Sequence, residues 1–353
     1  MVVKVSKPEL NLREKISELD KPSGIAGEAM LRAETPQEQQ AMIGVGRRNM
    51  LINGDMKVSQ RGNYTGATTA AADAYFLDRW KCDRNGTATM EHTTSHDIPG
   101  SPAICKAIKI VQTVTGNNYL GIRQKIEDPT QYVGRTFTYS GWVRSNTPNA
   151  RLECYIHGTN QGAIGPNHSG NGEWEFLSFT WTMSGIPSNN WFVDVFIDNG
   201  AYGNVTITAG DYFEATMLQL EEGKVATPFE HRSYGEELAL CQRYCQVYDT
   251  LGSGVWNSAT SFFSSTSLPV SMRVVPTITL KSGTYSNINI EHVDTYDITG
   301  VSPGHASNAG DNETWEVSTF ITVMSVTAAR TVGDAGVPVC DRNEDYFILT
   351  AEL

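Results

Sequence analysis

Between Asn49 and Phe229 the sequence alternates with a period of two and is interrupted by glycine- and asparagine-rich turns. FTYSGWVRS (137–145), RLECYIHG (151–158), FLSFTWTM (176–183) and WFVDVFID (191–198) alternate apolar with polar residues or run apolar. Between them lie GTNQGAIGPNHSGNG, SGIPSNN and DNGAYGN. Neighbouring side chains of a strand point to opposite faces, so this period makes one face apolar and the other polar. Short strands joined by such turns pair antiparallel and pack as a two-sheet sandwich, not as a parallel α/β sheet. Residues 49–229 are enough for one jelly-roll-like domain. Abundant Asn, Gly, Ser and Thr and scarce Lys fit a chain of strands and tight turns.

The chain has 353 residues, and at roughly 150 per folded unit it holds two or three of them. Residues 1–48 are charged, nearly balanced in sign and poor in aromatics. Leu12, Ile16 and Leu19 share one side of a helix, and Thr35-Pro36-Gln37-Glu38 is a capping box that starts a second. This segment is too small and too polar for a core of its own, and reads as an arm that orders on a partner. Residues 230–249 read as a linking helix. Ser233 and Glu236 form a capping box, and Glu236 and Glu237 complement the dipole. Tyr234, Leu238, Cys241, Cys245 and Tyr248 recur at steps of three or four, a single apolar stripe. An isolated helix of this length is marginal in water, so the jelly roll or other copies of the chain must cover it. The flanking ATPFEHR and YDTLGSG turn away from the helix. They favour a homotrimer interface with Leu238, Cys241 and Cys245 nearest the axis. Residues 250–353 return to strands in SLPVSMRVVPTITL, INIEHVDTYDITGV, TWEVSTFITVMSVTAAR and EDYFILTAEL, a second, smaller β domain. Pro269 and Pro276 belong at strand ends or on an edge. The expected fold is mainly β: a partly helical arm, a jelly-roll sandwich, a short linking helix and a small C-terminal β domain.

The formal net charge is −12 and no run of Lys and Arg stands against it, which excludes a nucleic-acid surface. No apolar run reaches the roughly 18 residues of a membrane span, and MVVKVSKPELNLREK has no signal-peptide core. The protein is expected to be made in a cytoplasm. Cys82, Cys105, Cys154, Cys241, Cys245 and Cys340 show no metal-site cadence and read as buried thiols. Cys241 and Cys245 stand four apart but lack a histidine partner, so packing is their reading and no metal or cofactor is expected. There is no GxSxG, P-loop, HExxH or dinucleotide motif. Glu173 with Glu175, or Asp194 with Asp198, could be drawn as a glycosidase pair. Exposed strand carboxylates are far commoner, so no catalytic residue is assigned. Alternation puts Trp142 and Arg144 on one face of their strand, and Tyr155 and His157 on one face of theirs. Were those strands neighbours, the four would form an aromatic, polar platform for a glycan. The alternative is a packed or interfacial patch.

NLREKISELDKPSGIAGEAMLRAETPQEQ, RRNMLINGDMKVSQRG, FLDRWKC, YSGWVRS, MLQLEEGKVATPFEHRSYGEELALCQRYCQ and LPVSMRVVPTITL touch all three regions. Through them the chain resembles tail-fibre or appendage proteins of tailed phages, marine podoviruses especially. The middle region looks like the jelly roll of carbohydrate-binding modules. Such modules often open with a phrase like NGDM and hold a structural calcium through an Asp on the last strand. Here EATMLQLEEG offers Thr216 or Met217 at that place, a departure from the pattern. The resemblance implies a homotrimeric, non-enzymatic virion protein. Residues 1–48 would join it to another virion protein of the tail or capsid, and the β domains would meet host surface polysaccharide. It would be assembled in the host cytoplasm and need no signal peptide. A connector or decoration protein with little glycan binding, and a glycan depolymerase, remain the alternatives.

Overall fold

The computed structural model describes residues 47–352 except 100–103, 157–160, 185–190, 201–202, 250–251, 259–260, 282–285, 290–297, 304–316, 327–334 and 341–345. The arm expected over residues 1–48 therefore lies outside the described residues but for its last two. Asn49–Leu353 forms one compact unit.

The first half of this unit carries thirteen strands: β1 (Thr68–Thr69), β2 (Lys81–Arg84), β3 (Ala88–Ser95), β4 (Cys105–Gln112), β5 (Gly116–Asn118), β6 (Leu120–Ile126), β7 (Thr136–Ser145), β8 (Ala150–Ile156), β9 (Gln161–Asn167), β10 (Trp174–Thr182), β11 (Trp191–Ile197), β12 (Val205–Ile207) and β13 (Tyr212–Glu222). A helix α1 (Tyr234–Gln242) follows. Then come β14 (Cys245–Tyr248), β15 (Gly254–Ser258), β16 (Ser261–Met272), β17 (Thr277–Lys281), β18 (Ser286–Asn289), β19 (Ile298–Pro303), β20 (Val317–Val326), β21 (Ala335–Cys340) and β22 (Tyr346–Thr350). The protein is mainly β, with a single α-helix among the described residues.

Two antiparallel sheets face each other in the first half, in the orders β1-β3-β4-β13-β7-β10 and β2-β6-β11-β8-β9. Their inner faces follow the alternation. Phe137, Tyr139 and Val143 of β7 and Phe213, Ala215 and Leu220 of β13 point into one core with Leu152 and Cys154 of β8 and Trp191, Val193 and Val195 of β11. Phe137 and Trp191 lie edge to face with centroids 5.1 Å apart. Burying each large side chain is worth about 1.5–3 kcal/mol. β13 is bulged between Thr216 and Gln219, with Met217 at φ 50°, so that Leu218 returns to the core. The NGDM turn closes on this bulge. Leu218 N–H donates to Gly54 O at 2.9 Å, and a Cβ on Gly54 would stand 2.2 Å from Leu218 O. Only glycine allows that approach.

The C-terminal strands form a three-stranded sheet, β14-β22-β17, and a six-stranded one, β18-β21-β15-β16-β20-β19. Pro276 directly precedes β17. Pro269 lies within β16, in the stretch between Ser267 and Met272 where its register against β20 shifts, a place that tolerates a missing N–H.

The helix is shorter than expected, and its cover differs from the expected one. The capping box is present: Ser233 accepts from Glu236 N–H and Glu236 returns to Ser233 N–H. The helix ends at Gln242, however, and Cys245 begins a strand paired with β22. Cys-Gln-Val-Tyr also alternates with period two, and an open sheet edge captured it. The residues α1 buries are Glu237 and Cys241; Tyr234 is 56% exposed and Leu238 is half-buried. Glu237 accepts Asn53 N–H and pairs with Arg232 at 3.4 Å. The helix is thus anchored to the NGDM turn of its own chain by a carboxylate, and of the expected stripe's members within α1 only Cys241 is buried. Cys241 and Cys245 have no exposed surface in the single chain and can present nothing to a threefold axis.

Candidate functional site

The outer face of β2-β6-β11-β8-β9 is set by register, since Cα partners across antiparallel strands share a face. One row runs Gly162, Tyr155, Phe192, Lys125. The next runs Ile164, Glu153, Asp194, Arg123, Lys81, and a third Arg151, Phe196, Gly121, Asp83. Tyr155 and Phe192 are half-buried. Phe196 lies flat against Gly121, where a Cβ would stand 2.5 Å from its ring.

Beside the aromatic row the same face is ionic. Arg123 pairs with Asp83 at 2.7 Å and Asp194 at 3.3 Å, and its guanidinium lies over Phe192 and Phe196, 4.7 and 5.7 Å from their centroids. Arg151 pairs with Asp198 at 3.2 Å and lies 3.6 Å from Glu153. Glu153 hydrogen-bonds to Asp198, which two ionised carboxylates cannot do. Burial first, then the charges of Asp198 and Asp194, push the Glu153 carboxyl up to about 8. At neutral pH it is a neutral donor to Asp198. Phe192 is thus held by the Arg123 guanidinium, which is itself placed by two carboxylates.

The expected platform does not assemble. Trp142 and Arg144 lie on β7, in the other sheet from Tyr155 on β8, so they look out from opposite sides of the sandwich. His157 lies outside the described residues. Trp142 packs on Phe176, centroids 5.5 Å apart, beside Ile98, Trp174, Met217 and Phe229. Arg144 pairs with Glu214 at 2.8 Å and Asp97 at 3.3 Å and lies over the Trp174 ring. Trp174 Nε1 donates to Ser95 Oγ and Asp97 Oδ1, both at 3.1 Å. That side is the packed patch the sequence left as an alternative. Asp194 and Asp198, read as exposed strand carboxylates, have no exposed surface. Glu175 instead pins a turn by accepting from Ser169. Phe192, Arg123 and Glu153 were not singled out from the sequence. The signal was present in WFVDVFID, whose outward positions are Phe192, Asp194, Phe196 and Asp198.

A calcium site of the carbohydrate-module kind does not fit the residues at the corresponding place. Thr216 Oγ1 donates to Lys106 O and Met217 packs in the Trp174 cluster. Among the described residues no three His, Cys, Asp or Glu side chains are placed to share a metal, and no helix is long and apolar enough to cross a membrane.

No protein-family model and no curated protein sequence matches the chain. Among solved structures it is similar to the enzymatically active domain of tailspike protein 4 of bacteriophage CBA120, at 15% identity and TM-score 0.33 over 50% of this chain and 21% of that one. It is also similar to the CBM22-1–GH10 modules of Clostridium thermocellum xylanase 10B, at 12% identity and TM-score 0.28 over 48% of this chain and 30% of that one. The tandem CBM22 domain of Paenibacillus barcinonensis Xyn10C matches at 9% identity and TM-score 0.28 over 84% of this chain and 93% of that one. The chain thus spans about a fifth of the tailspike structure and under a third of the xylanase structure.

Proposed function

We propose that this chain is a non-enzymatic polysaccharide-binding protein of a phage virion, a tail fibre or adhesin that meets the host surface with the outer face of β2-β6-β11-β8-β9. The observation that carries this reading is the Tyr155–Phe192 pair, two half-buried rings that are register partners beside a row of ionic side chains on the same face. Pyranose C–H faces stack on such rings while hydroxyls meet the ionic groups around them. The carboxyls argue for binding over hydrolysis. A glycosidase needs its two carboxyls about 5 Å apart or more to flank a bond, and those of Glu153 and Asp198 are hydrogen-bonded to each other. The virion setting rests on the phage-like motifs, with residues 1–48 as the attachment to another virion protein. The homotrimer that the resemblance implies must use surfaces other than Cys241 and Cys245.

Binding of host surface polysaccharide, measured by calorimetric titration, tests the site. Tyr155→Ala with Phe192→Ala is expected to weaken it by roughly 1–3 kcal/mol, or about 5- to 150-fold, while the melting temperature of these outer-face variants falls by a few degrees only. Unchanged affinity in the double variant overturns the site. Deletion of residues 1–48 should leave a folded protein that no longer enters particles, and normal incorporation would refute the arm's role. A connector with little glycan binding is the second reading, favoured by the packed state of Trp142 and Arg144. It predicts normal particle assembly and host adsorption with the Tyr155/Phe192 variant.

A further inference from the structure

The Tyr155–Phe192 row ends on a cation to which no described residue offers a carboxylate. Lys125 is the register partner of Phe192 on β6, outward on the same face. The neighbouring cations have partners: Arg123 takes Asp83 and Asp194, Lys81 takes Asp73 at 2.8 Å, and Arg79 takes Glu352. Among the described residues no carboxylate pairs with the Lys125 ammonium. The charges acting on it are those of Arg273, Arg79 and Lys81, all positive, and burial together with these cations holds its pKa below the usual lysine value. Among the described residues Arg273 hydrogen-bonds carbonyls alone, with Nε to Ala351 O and Nη2 to Glu352 O, each at 3.2 Å. Arg273 is the foremost charge acting on the Lys125 ammonium, and Arg79 ties the two backbones together, donating to Lys125 O at 2.8 Å and pairing with Glu352, whose carbonyl Arg273 holds. In a chain with 39 acidic residues against 27 basic ones, two neighbouring cations that no described carboxylate pairs are a demand for an anion.

We infer that the glycan taken by this face is acidic, its sugar ring against Phe192 and Tyr155 and its anionic group, a carboxylate or a sulfate ester, on Lys125 with Arg273 behind it. The inference rests on the proposed glycan face and adds the chemical class of its ligand. Stacking is indifferent to that anionic group, so ring and charge are separable contributions.

The test uses the full chain and matched probes: polygalacturonate and its methyl ester, alginate and its propylene glycol ester, and a sulfated galactan with its desulfated form. The wild type should bind at least one acidic member about tenfold or more tighter than its neutral counterpart. The uronates and the galactan distinguish a carboxylate from a sulfate. Lys125→Gln should remove the preference and leave neutral binding unchanged, whereas Tyr155→Ala with Phe192→Ala should weaken both members of a pair. Rising salt should weaken the acidic member only. Equal affinity within every pair, or a preference that survives Lys125→Gln, overturns the inference and leaves the glycan face standing. If no probe binds, the inference and the glycan reading on which it rests are both overturned.

Discussion

The carboxyl of Glu153 is nearly closed to solvent, and its hydrogen bond to Asp198 needs one proton between two acids. An unfolded glutamate releases that proton near 4.5, whereas the folded chain keeps it to about 8. Between these values the folded state holds a proton that the unfolded state has lost, so this group's contribution to stability is complete below 4.5 and falls as pH rises to about 8. Glu153→Gln keeps a donor towards Asp198 without a titrating charge. Its melting temperature is expected to fall less steeply than the wild type's across that window, with the variant the more stable of the two near pH 8. Parallel pH profiles for the two proteins would refute the shared proton. The sequence put Asp194 and Asp198 on one strand face, and that placement holds. Their burial was not legible, because Arg123 and Arg151 reach them from strands far away in sequence, and only the register brings them together.

Individual strands were the most legible elements. β7, β8, β10 and β11 lie where alternation put them, since each strand's burial pattern depends on its own residues alone. Which strands become neighbours depends on sheet order, and the platform of Trp142 with Tyr155 failed on that point. The helix is present with its expected cap, and only its far end differs, for a related reason: Cys241 and Cys245 satisfy a helical period, while the edge of β22 takes Cys245–Tyr248 as a strand. The inward carboxylate of α1 now sets the expectation for this element. Glu237→Ala leaves the buried Asn53 N–H without its acceptor and removes a partner from Arg232. The expected loss is about 2–4 kcal/mol, read from denaturant midpoints. Leu238→Asp, on a half-buried position, should cost less. A reversed order would mean that the apolar stripe holds the helix after all.

At the scale of the whole molecule, three of the motifs singled out in the sequence converge on one junction. Asn49 N–H donates to Glu230 at 2.6 Å, Arg232 donates to Leu51 O at 3.0 Å, and Gln60 Nε2 donates to Cys245 O at 2.9 Å. Glu352, just past β22, pairs with Arg61 at 2.8 Å and with Arg79, whose guanidinium lies 3.7 Å from the centre of the Tyr244 ring. RRNMLINGDMKVSQRG, FLDRWKC and HRSYGEELALCQRYCQ therefore interlock, and the residue just past the strand at the chain's far end completes them. The junction carries buried charge: the Arg79 and Glu352 side chains are 2% and 4% exposed. Breaking such a pair from one side costs about 3–5 kcal/mol, while replacing both partners by apolar groups costs far less. Arg79→Met should therefore destabilise the sandwich and the C-terminal strands together. Adding Glu352→Leu should recover part of the loss, less the Arg61–Glu352 pair that it also removes. In scanning calorimetry the β region of the wild type should melt in one transition, and Arg79→Met should move all of it to lower temperature. Two transitions, of which Arg79→Met shifts only one, would show that the sandwich and the C-terminal sheets fold independently and that the junction does not couple them.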